Sequence, residues 1–269
     1  VKIHPTAVIH PKAVLADDVE VGAYSVVGEH VTIGAGTRVL SHVSIDGWTD
    51  IGERCELHPF VSVGGPPQHM QYKGEPTKVV IGHDNILREY VTVNRATVQG
   101  GGVTTVGHSN FLMAYVHVAH DCHLGNHLIL ANAASLAGHI SIGDHAIIGG
   151  LSGIHQFVRI GAYAMVGGCC ALGQDLPPFM RAAGGYRARM YGLNSIGLRR
   201  HGFSADRIAA LKKAYEVLFR SGHRVAEAVK LARETFGASQ DVMQVADFMQ
   251  GTKRGICRSV GKDQEGEEE

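Results

Sequence analysis

The sequence predicts a parallel β-helix, because aliphatic residues recur at every sixth position over most of residues 1–172. An α-helix has a period of about 3.6 and a two-sided strand a period of 2, so neither explains a period of six. A β-helix does, with one flat side per hexad and three sides per coil. Glycine is abundant, with 35 residues, and only 6% of the chain is aromatic, as a solenoid of small aliphatic side chains would require. The recurring positions are Ile3, Ile9, Leu15, Val21, Val27, Ile33, Val39, Ile45, Ile51, Leu57, Val63, then Ile81, Leu87, Val93, then Val106, Leu112, Val118, Leu124, Leu130, Leu136, Ile142, Ile148, Ile154, Ile160, Val166 and Leu172.

We expect residues 1–186 to form this β-helix, with about nine to ten coils. Each coil would bury its aliphatic side chains against the coils above and below it. Two interruptions break the phase of the repeat. Residues 64–79, rich in Gly and Pro, are predicted to leave the prism as an external loop, and residues 99–105 as a shorter excursion. Long loops on a strict repeat usually mark a binding face.

The period changes after Pro177 and Pro178, and residues 187–260 are predicted to form a small helical domain. Ser204 is expected to cap a helix that stops at residues 221–222, and a second helix is expected over 223–236. Ser239 is expected to cap a third helix that ends near residue 250. A shorter helix over about 191–200 is predicted to precede these three. Residues 261–269 are predicted to be an acidic, disordered tail.

Composition and charge exclude several classes of partner. Lys plus Arg equals Asp plus Glu at 25 each, so no whole-protein field attracts nucleic acid or a membrane surface. No apolar run reaches the roughly 18 to 20 residues of a membrane span, and the N-terminus lacks the core of a signal peptide. The five cysteines are odd in number and form no C-x-x-C motif, which favours reduced thiols in the cytoplasm.

Histidines are concentrated over two neighbouring coils. With 18 residues per coil, position 121 lies beneath position 139, so Asp121 and His120 are expected next to His139. His117 and His155 are expected at the same edge of the prism. A carboxylate beside an imidazole can orient it as a general base. The cluster is therefore the candidate site for chemistry.

Two chemistries suit this cluster. In the first, His120 activates a hydroxyl for acyl transfer while a backbone N–H binds the oxyanion. In the second, three imidazoles hold Zn²⁺ with an open position for water, as in a carbonic-anhydrase-type enzyme. The zinc enzyme has no evident need for the external loop or for the basic pair Arg199 and Arg200, whereas a nucleotide substrate would use both. A purely structural or binding solenoid would leave the clustered histidines unexplained.

Seven segments outside the simple repeat pattern stand out: 74–77 (GEPT), 98–102 (VQGGG), 117–122 (HVAHDC), 136–139 (LAGH), 154–157 (IHQF), 165–169 (MVGGC) and 197–200 (GLRR). In this order, along nearly the whole chain, they resemble the family of acyl-ACP–UDP-N-acetylglucosamine O-acyltransferases. The resemblance implies a left-handed parallel β-helix that assembles as a homotrimer, with active sites between neighbouring prisms. It also implies transfer of a (3R)-3-hydroxyacyl chain from acyl carrier protein to the 3-hydroxyl of UDP-N-acetylglucosamine. This reaction is the first step of lipid A biosynthesis, in the cytoplasm of a Gram-negative-type bacterium.

The same resemblance implies roles for individual residues. His120 matches the general base, Asp121 its orienting carboxylate, and Gly138 the N–H donor to the oxyanion. Gly168 matches the position that limits acyl-chain depth, and a glycine there favours a longer chain. No metal and no cofactor are implied. The positions that match substrate-binding groups are Gln68, His69, His117 and His139, and, near the nucleotide and its phosphates, His155, Gln156, Asn194 and Arg200.

The chain departs from the family pattern in the external loop. The family usually has Gln-Asp-Leu-Lys-Tyr there, and this chain has Gln68-His69-Met70-Gln71-Tyr72. His69 and Gln71 replace the Asp and Lys that commonly contact the sugar and the donor, which leaves open N-acylation of the UDP-3-amino-sugar analogue as an alternative reaction. A basic surface on the helical domain is predicted to receive the acidic acyl carrier protein. Its candidate residues are Arg207, Lys212, Lys213, Arg220 and Arg224.

Overall fold

Three sheets form the walls of a left-handed parallel β-helix, as the hexad repeat predicts. The computed structural model describes residues 1–259. All strand pairs in these sheets are parallel within that range except the last pair of the first sheet. The first sheet contains, in spatial order, Lys2–Ile3, Glu20–Val21, Arg38–Val39, Glu56–Leu57, Ile86–Leu87, Phe111–Leu112, Ile129–Leu130, Ile147–Ile148, Met165–Val166, Met180–Ala183 and Arg189–Leu193. The second sheet contains Val8–Ile9, Val26–Val27, Ser44–Ile45, Ser62–Gly65, Thr92–Asn94, His117–Val118, Ser135–Leu136, Gly153–Ile154 and Ala171–Leu172. The third sheet contains Val14–Leu15, Val31–Ile33, Trp48–Ile51, Lys78–Ile81, Val103–Val106, His123–Leu124, Ser141–Ile142 and Arg159–Ile160.

The core of the prism is the column of repeat positions. Uninterrupted coils pair residues 18 apart, as Val118 pairs with Leu136 and Leu136 with Ile154. These side chains point inward and are almost completely buried, whereas Ile3 in the first coil is 47% exposed. The repeat therefore stabilises the fold by stacking each aliphatic side chain between its neighbours, and burial is weakest at the open N-terminal end.

Tight corners between the sheets place many non-glycine residues in the left-handed backbone region. Asp121, His139 and Phe157 occupy successive levels of one corner, with φ of 61°, 62° and 65°. Asp and His visit this region more readily than β-branched residues do. The corner therefore fixes three side chains one above another, in the part of the prism where the histidines are concentrated.

Both interruptions of the repeat leave the prism, with bounds slightly different from those expected. The first lies between strands Ser62–Gly65 and Lys78–Ile81. The second interruption ends earlier than predicted. Strand Val103–Val106 begins inside the excursion that was expected over 99–105. Its backbone pairs with Lys78–Ile81 on the preceding coil, so residue 103 is already part of the third sheet.

The helices follow the β-helix in the predicted order. They are α1 (Ser195–Arg200), α2 (Ala205–Tyr215), α3 (Val225–Phe236) and α4 (Gln240–Gln250), and a π-helical turn, Glu216–Arg220, extends α2. The caps predicted at Ser204 and Ser239 are confirmed, since each hydroxyl accepts a hydrogen bond from the third residue after it. None of the helices within residues 1–259 is both long and apolar enough to cross a membrane.

The helix expected over 191–200 is wrong in its first turn. Residues Arg189–Leu193 form a strand that pairs antiparallel with Met180–Ala183, and α1 begins only at Ser195 with Asn194 as its N-cap. The backbone groups of 189–193 are satisfied by the neighbouring strand, so that segment stays extended. The range predicted to be helical, 187–260, thus opens with a strand. The division into two domains stays a prediction, and the predicted tail at 261–269 lies outside the described residues.

After α4 the chain returns to the end of the prism. Ile256 bridges to Asp175, and Ser259 bridges to Met190. The guanidinium of Arg159 donates to the carbonyl of Phe248 at 2.7 Å. The helices and this final segment therefore pack on the last coils and cover that end of the core.

We predict that Leu130→Ala lowers the free energy of unfolding by about 2 to 5 kcal/mol, because Leu130 is fully buried and its loss leaves a cavity. Ile129→Ala is the matched control on the same strand, since Ile129 points outward and is 37% exposed. Denaturant unfolding followed by circular dichroism measures both. Equal losses for the two variants would contradict the assignment of the inward face.

Candidate active site

A cavity of about 950 Å³ lies on the outer face of the second sheet. Ser135, Gly153 and Ala171 form its floor and pair in register on three successive coils. Gln68 and His120 line the cavity, and so does a group of arginines from the end of the prism. Small residues leave the space open, so a long and narrow ligand can lie along the coils.

His120 is oriented by the carboxylate of Asp121. The Nδ1 atom of His120 lies 2.7 Å from Oδ2 of Asp121, whose side chain is inaccessible to solvent. An ionised carboxylate can only accept, so Nδ1 carries the hydrogen and the lone pair of the ring is on Nε2. His120 lines the cavity, and its side chain is 12% exposed. This is the tautomer required of a base that takes a proton from a ligand in the cavity.

The second interruption of the repeat holds Asp121 in place. The amide N–H and the hydroxyl of Thr97 donate to its two carboxylate oxygens at 2.9 and 2.7 Å. The amide N–H of Asp121 donates to the hydroxyl of Thr104 at 2.8 Å. Gly100 packs directly over the carboxylate, and a Cβ at that position would lie 2.0 Å from Cγ of Asp121. The excursion thus encloses the charge and supplies its hydrogen bonds.

Gly138 and His139 come from the next coil and contact the same pair. A Cβ on Gly138 would lie 2.6 Å from Cε1 of His120, so any larger residue there would displace the imidazole. Among residues 1–259, no backbone acceptor pairs with the N–H of Gly138. The Nε2 atom of His139 lies 3.6 Å from Oδ2 of Asp121, and its ring stacks on Phe157 at 4.5 Å. A free N–H therefore lies next to the candidate base.

The external loop closes over this edge and is anchored by Arg95. The guanidinium of Arg95 donates to the carbonyl of Gly64 at 2.8 Å and to the hydroxyl of Tyr72 at 2.9 Å. The ring of His69 lies 5.4 Å from that of His120 in an edge-on arrangement. The side chain of Gln68, at the same turn, lines the cavity. Arg95 thus anchors the loop on both sides of these two residues, at Gly64 and at Tyr72.

The structure places most of the predicted residues together. His117 lines the cavity and its Nδ1 lies 2.7 Å from the hydroxyl of Thr92, while His155 lines the cavity two coils further along. Together with these, the predicted residues that meet at this edge are Gln68, His69, His120, Asp121, Gly138 and His139.

Seven predicted residues do not line the cavity within the described chain; His69, Asp121 and His139 lie beside His120, and the other four lie elsewhere. Gln156 is exposed beside His155, and Gly168 lies at a corner where an added Cβ would meet the carbonyl oxygen of Gly150 at 3.3 Å. The amide of Asn194 caps α1 and donates to the carbonyl of Tyr163 at 3.0 Å. Arg200 is exposed in the last turn of α1. Their roles stay predictions.

Sequence reasoning missed two groups of residues. Thr97 and Arg95 act through hydrogen bonds that the hexad repeat does not predict. The possible signal in the sequence was an arginine shortly before the QGGG segment. Near the end of the prism, Arg187 and Arg189 line the cavity together with Arg258 from the final segment. The signal there was the two arginines at 187 and 189, just before the helix expected over about 191–200.

One group of described residues could hold a metal ion. Ligand atoms of His120, Asp121 and His139 lie within 4.8 Å of one another. The carboxylate oxygen they share already accepts from the hydroxyl of Thr97, and the two rings lie edge to face at 88°. An ion there would displace the hydrogen bond at Nδ1 of His120, so the arrangement is better suited to orienting a base than to presenting a zinc-bound water.

Comparisons with known proteins agree with this geometry. Residues 175–257 match the family model described as Udp N-acetylglucosamine O-acyltransferase, Domain 2, and residues 1–35 match that of the bacterial transferase hexapeptide repeats. A curated relative from Thermodesulfovibrio yellowstonii, named acyl-[acyl-carrier-protein]–UDP-N-acetylglucosamine O-acyltransferase, is 52% identical over 257 residues, which cover 96% of this chain and 99% of the relative. The chain belongs to this O-acyltransferase family.

Further members support the assignment over the full length. The O-acyltransferase of Ralstonia nicotianae is 53% identical over 266 residues, covering 96% of this chain and 98% of its own. Among solved structures, LpxA from Acinetobacter baumannii superposes with a TM-score of 0.93 at 43% identity, covering 95% of this chain and 99% of that one. The UDP-N-acetylglucosamine acyltransferase from Campylobacter jejuni superposes with a TM-score of 0.91 at 41% identity, covering 96% of this chain and all of that one. The chain therefore contains both parts of the family fold.

The site makes stability depend on pH. Burial lowers the pKa of His117 and of His139, because their protonated forms lose solvation, and the neighbouring Asp121 opposes this effect only at His139. The folded state thus binds these protons less readily than the unfolded chain, in which histidine titrates near 6.5. The stability contributed by the neutral rings is present above that pH and is lost as the pH falls below it.

We predict that His117→Gln reduces the loss of thermal stability between pH 7 and pH 5. Glutamine can keep a hydrogen bond to Thr92 but has no proton to take up. Melting temperatures of both proteins across this range measure the effect. If both melting curves shift by the same amount between pH 7 and pH 5, burial of His117 makes no contribution to the pH dependence.

Proposed function

We propose that this chain transfers a (3R)-3-hydroxyacyl group from acyl carrier protein to the 3-hydroxyl of UDP-N-acetylglucosamine, with His120 as the general base. The observation that carries the proposal is the 2.7 Å contact between Nδ1 of His120 and Asp121, which leaves Nε2 to accept a proton in the cavity. The relatives that share nearly the whole chain bear the name of this reaction.

The chemistry can be assigned to the residues in order. Nε2 of His120 removes the proton from the sugar hydroxyl as its oxygen attacks the thioester carbonyl, and such a base typically contributes about 10²- to 10⁴-fold in rate. The N–H of Gly138 donates to the oxyanion, an interaction worth roughly 3 kcal/mol. The intermediate then collapses, the thiolate of the donor leaves, and His120 returns the proton to it. Asp121 stabilises the imidazolium between these two steps.

The loop and the neighbouring histidines would orient the acceptor. Gln68 lines the cavity beside His120, and His69 lies where relatives usually have an aspartate. Because burial lowers the pKa values of His117 and His139, both are neutral near pH 7 and can donate or accept hydrogen bonds with sugar hydroxyls. We assign them to substrate positioning.

A neighbouring copy of the chain would complete the site. We propose a homotrimer, since Gln156, Gly168, Asn194 and Arg200 do not line the cavity of a single described chain and would reach a ligand across an interface. Large apolar side chains near these positions support it, because Leu151 is 70% exposed and Ile196 is 62% exposed. Gly168 would leave room for a longer acyl chain, and Arg200 would contact the diphosphate.

The acyl carrier protein would approach the helices. Lys212, Lys213 and Arg224 are exposed, while Arg207 forms a bidentate pair with Asp241 at 2.8 Å. Lys212, Lys213 and Arg224, whose charges are not paired in this way within the described chain, are therefore the stronger candidates for binding an acidic protein. This donor and the lipid A pathway place the proposed enzyme in the cytoplasm of a Gram-negative-type bacterium.

We predict that His120→Ala lowers kcat by about 10²- to 10⁴-fold, because the attacking hydroxyl loses its base. His10→Ala is the control, since His10 lies in the first coils, far along the prism from the cavity. Mass spectrometry of the UDP-sugar product formed from 3-hydroxyacyl-ACP measures the rate. A folded His120→Ala enzyme that matches the parent rate would rule out this base.

We predict that the protein sediments as a trimer of 28.7 kDa chains. Leu151→Lys should weaken this assembly and lower activity together, because a charge would be buried at the interface. Analytical ultracentrifugation at several concentrations measures the mass. A monomer with full activity would contradict a site completed by a neighbour.

A further inference from the structure

Asp121 lies between side chains that compete for one of its carboxylate oxygens. From the preceding coil, the hydroxyl of Thr97 donates to Oδ2 at 2.7 Å. From the same coil, Nδ1 of His120 donates to Oδ2 at 2.7 Å. From the following coil, Nε2 of His139 lies 3.6 Å from this oxygen, beyond hydrogen-bond distance. One oxygen thus faces three possible donors and binds two of them.

The hydroxyl of Thr97 is held in the orientation in which it donates to Asp121. Its oxygen accepts from the amide N–H of Gly100 at 3.1 Å, so its own hydrogen is directed at Oδ2. The amide N–H of Thr97 donates to the other carboxylate oxygen, Oδ1, at 2.9 Å. The N–H of Gly102 closes the turn by donating to the carbonyl of Thr97 at 3.0 Å. Both lone pairs of Oδ2 are therefore occupied, one by Thr97 and one by His120.

This arrangement determines which imidazole the carboxylate orients. With the hydroxyl of Thr97 in place, Oδ2 has no lone pair left for His139. Without the hydroxyl, one lone pair is free, and Nε2 of His139 reaches it by moving roughly 0.7 Å closer, to ordinary hydrogen-bond distance. A buried carboxylate takes up such a bond because an unpaired charge is costly. Asp121 would then be shared between two imidazoles, and His120 would keep its orientation for only part of the time.

We propose that Thr97 is a positioning residue of the reaction, because its hydroxyl keeps Oδ2 of Asp121 bonded to His120 and prevents His139 from binding it. This inference rests on the proposed function, since Thr97 acts through the general base of that reaction. Thr97 is 3% exposed and does not line the cavity, so it affects the reacting groups only through Asp121. The second interruption of the repeat thereby gains a role, because its Gly100 orients the hydroxyl.

The test is Thr97→Val, which keeps the shape and the amide N–H of the residue and removes the hydroxyl. We expect kcat for transfer from 3-hydroxyacyl-ACP to UDP-N-acetylglucosamine to fall on the order of ten- to a hundredfold, as for loss of a hydrogen bond to a charged group. Thr97→Ser keeps the hydroxyl and should stay within roughly twofold of the parent kcat. If valine prevents folding, Thr97→Ala takes its place, because it removes the hydroxyl without adding volume. Mass spectrometry of the product measures the rates.

The matched control is Thr37→Val. Thr37 is also buried, and its hydroxyl donates to the carbonyl of Gly52 at 2.8 Å and accepts from the N–H of Cys55 at 3.0 Å. These residues do not line the cavity. Thr37→Val should therefore lower the melting temperature, as Thr97→Val does, and keep the parent kcat.

Asp121→Asn separates a role through the carboxylate from a general loss of packing. In that background Thr97→Val should change kcat by less than about twofold, because residues that act through one interaction are not additive. A full further loss in that background, a parent kcat in folded Thr97→Val, a Thr97→Ser enzyme as slow as Thr97→Val, or an equal loss of kcat in Thr37→Val would overturn the assignment alone. A parent enzyme that forms no product from acyl-ACP would instead refute the proposed function.

Discussion

The arrangement of the site depends on one buried carboxylate. The side chain of Asp121 is inaccessible to solvent, and burying a charge is costly unless hydrogen bonds replace the lost water. Thr97 supplies two of these bonds and His120 a third. Because Thr97 holds the carboxylate of Asp121 in place, the hydrogen bond between Asp121 and His120 fixes the tautomer and the orientation of the imidazole. The candidate base is thus oriented before any ligand enters.

The β-helix supplies this arrangement through its register. Every complete coil advances the chain by 18 residues, so Gly138 lies beside His120 and His139 beside Asp121 without any special loop. The same register places small residues in line along the second sheet and produces a straight groove. A repeat that stabilises the core therefore also builds a long binding surface at right angles to its strands.

The contacts between neighbouring coils could be predicted from the sequence, because the repeat determines them. The count of 18 residues per coil is enough to predict that Asp121 and His139 are neighbours, and the structure confirms it at 3.6 Å. The contact of Thr97 with Asp121 could not be counted in this way, because an interruption of irregular length lies between them. The strand at Arg189–Leu193 was missed for a related reason, since its extended form depends on pairing with Met180–Ala183 and not on local propensity.

The position of the external loop is explained by Arg95. Arg95 bonds to Gly64 and to Tyr72, on both sides of the segment that carries Gln68 and His69. His69 lies edge-on to His120, so the loop places a second imidazole next to the candidate base. Nδ1 of His69 is buried and has no hydrogen-bond partner among the described residues, which leaves it available to a ligand.

A crystal structure of the protein with UDP-N-acetylglucosamine bound is the most direct test of the orientation imposed by Asp121. The 3-hydroxyl oxygen of the sugar should lie about 2.6 to 3.2 Å from Nε2 of His120, with Nδ1 still bonded to Asp121. A sugar whose 3-hydroxyl faces another residue, or an imidazole turned away from Asp121 in the complex, would contradict the central role of the buried carboxylate.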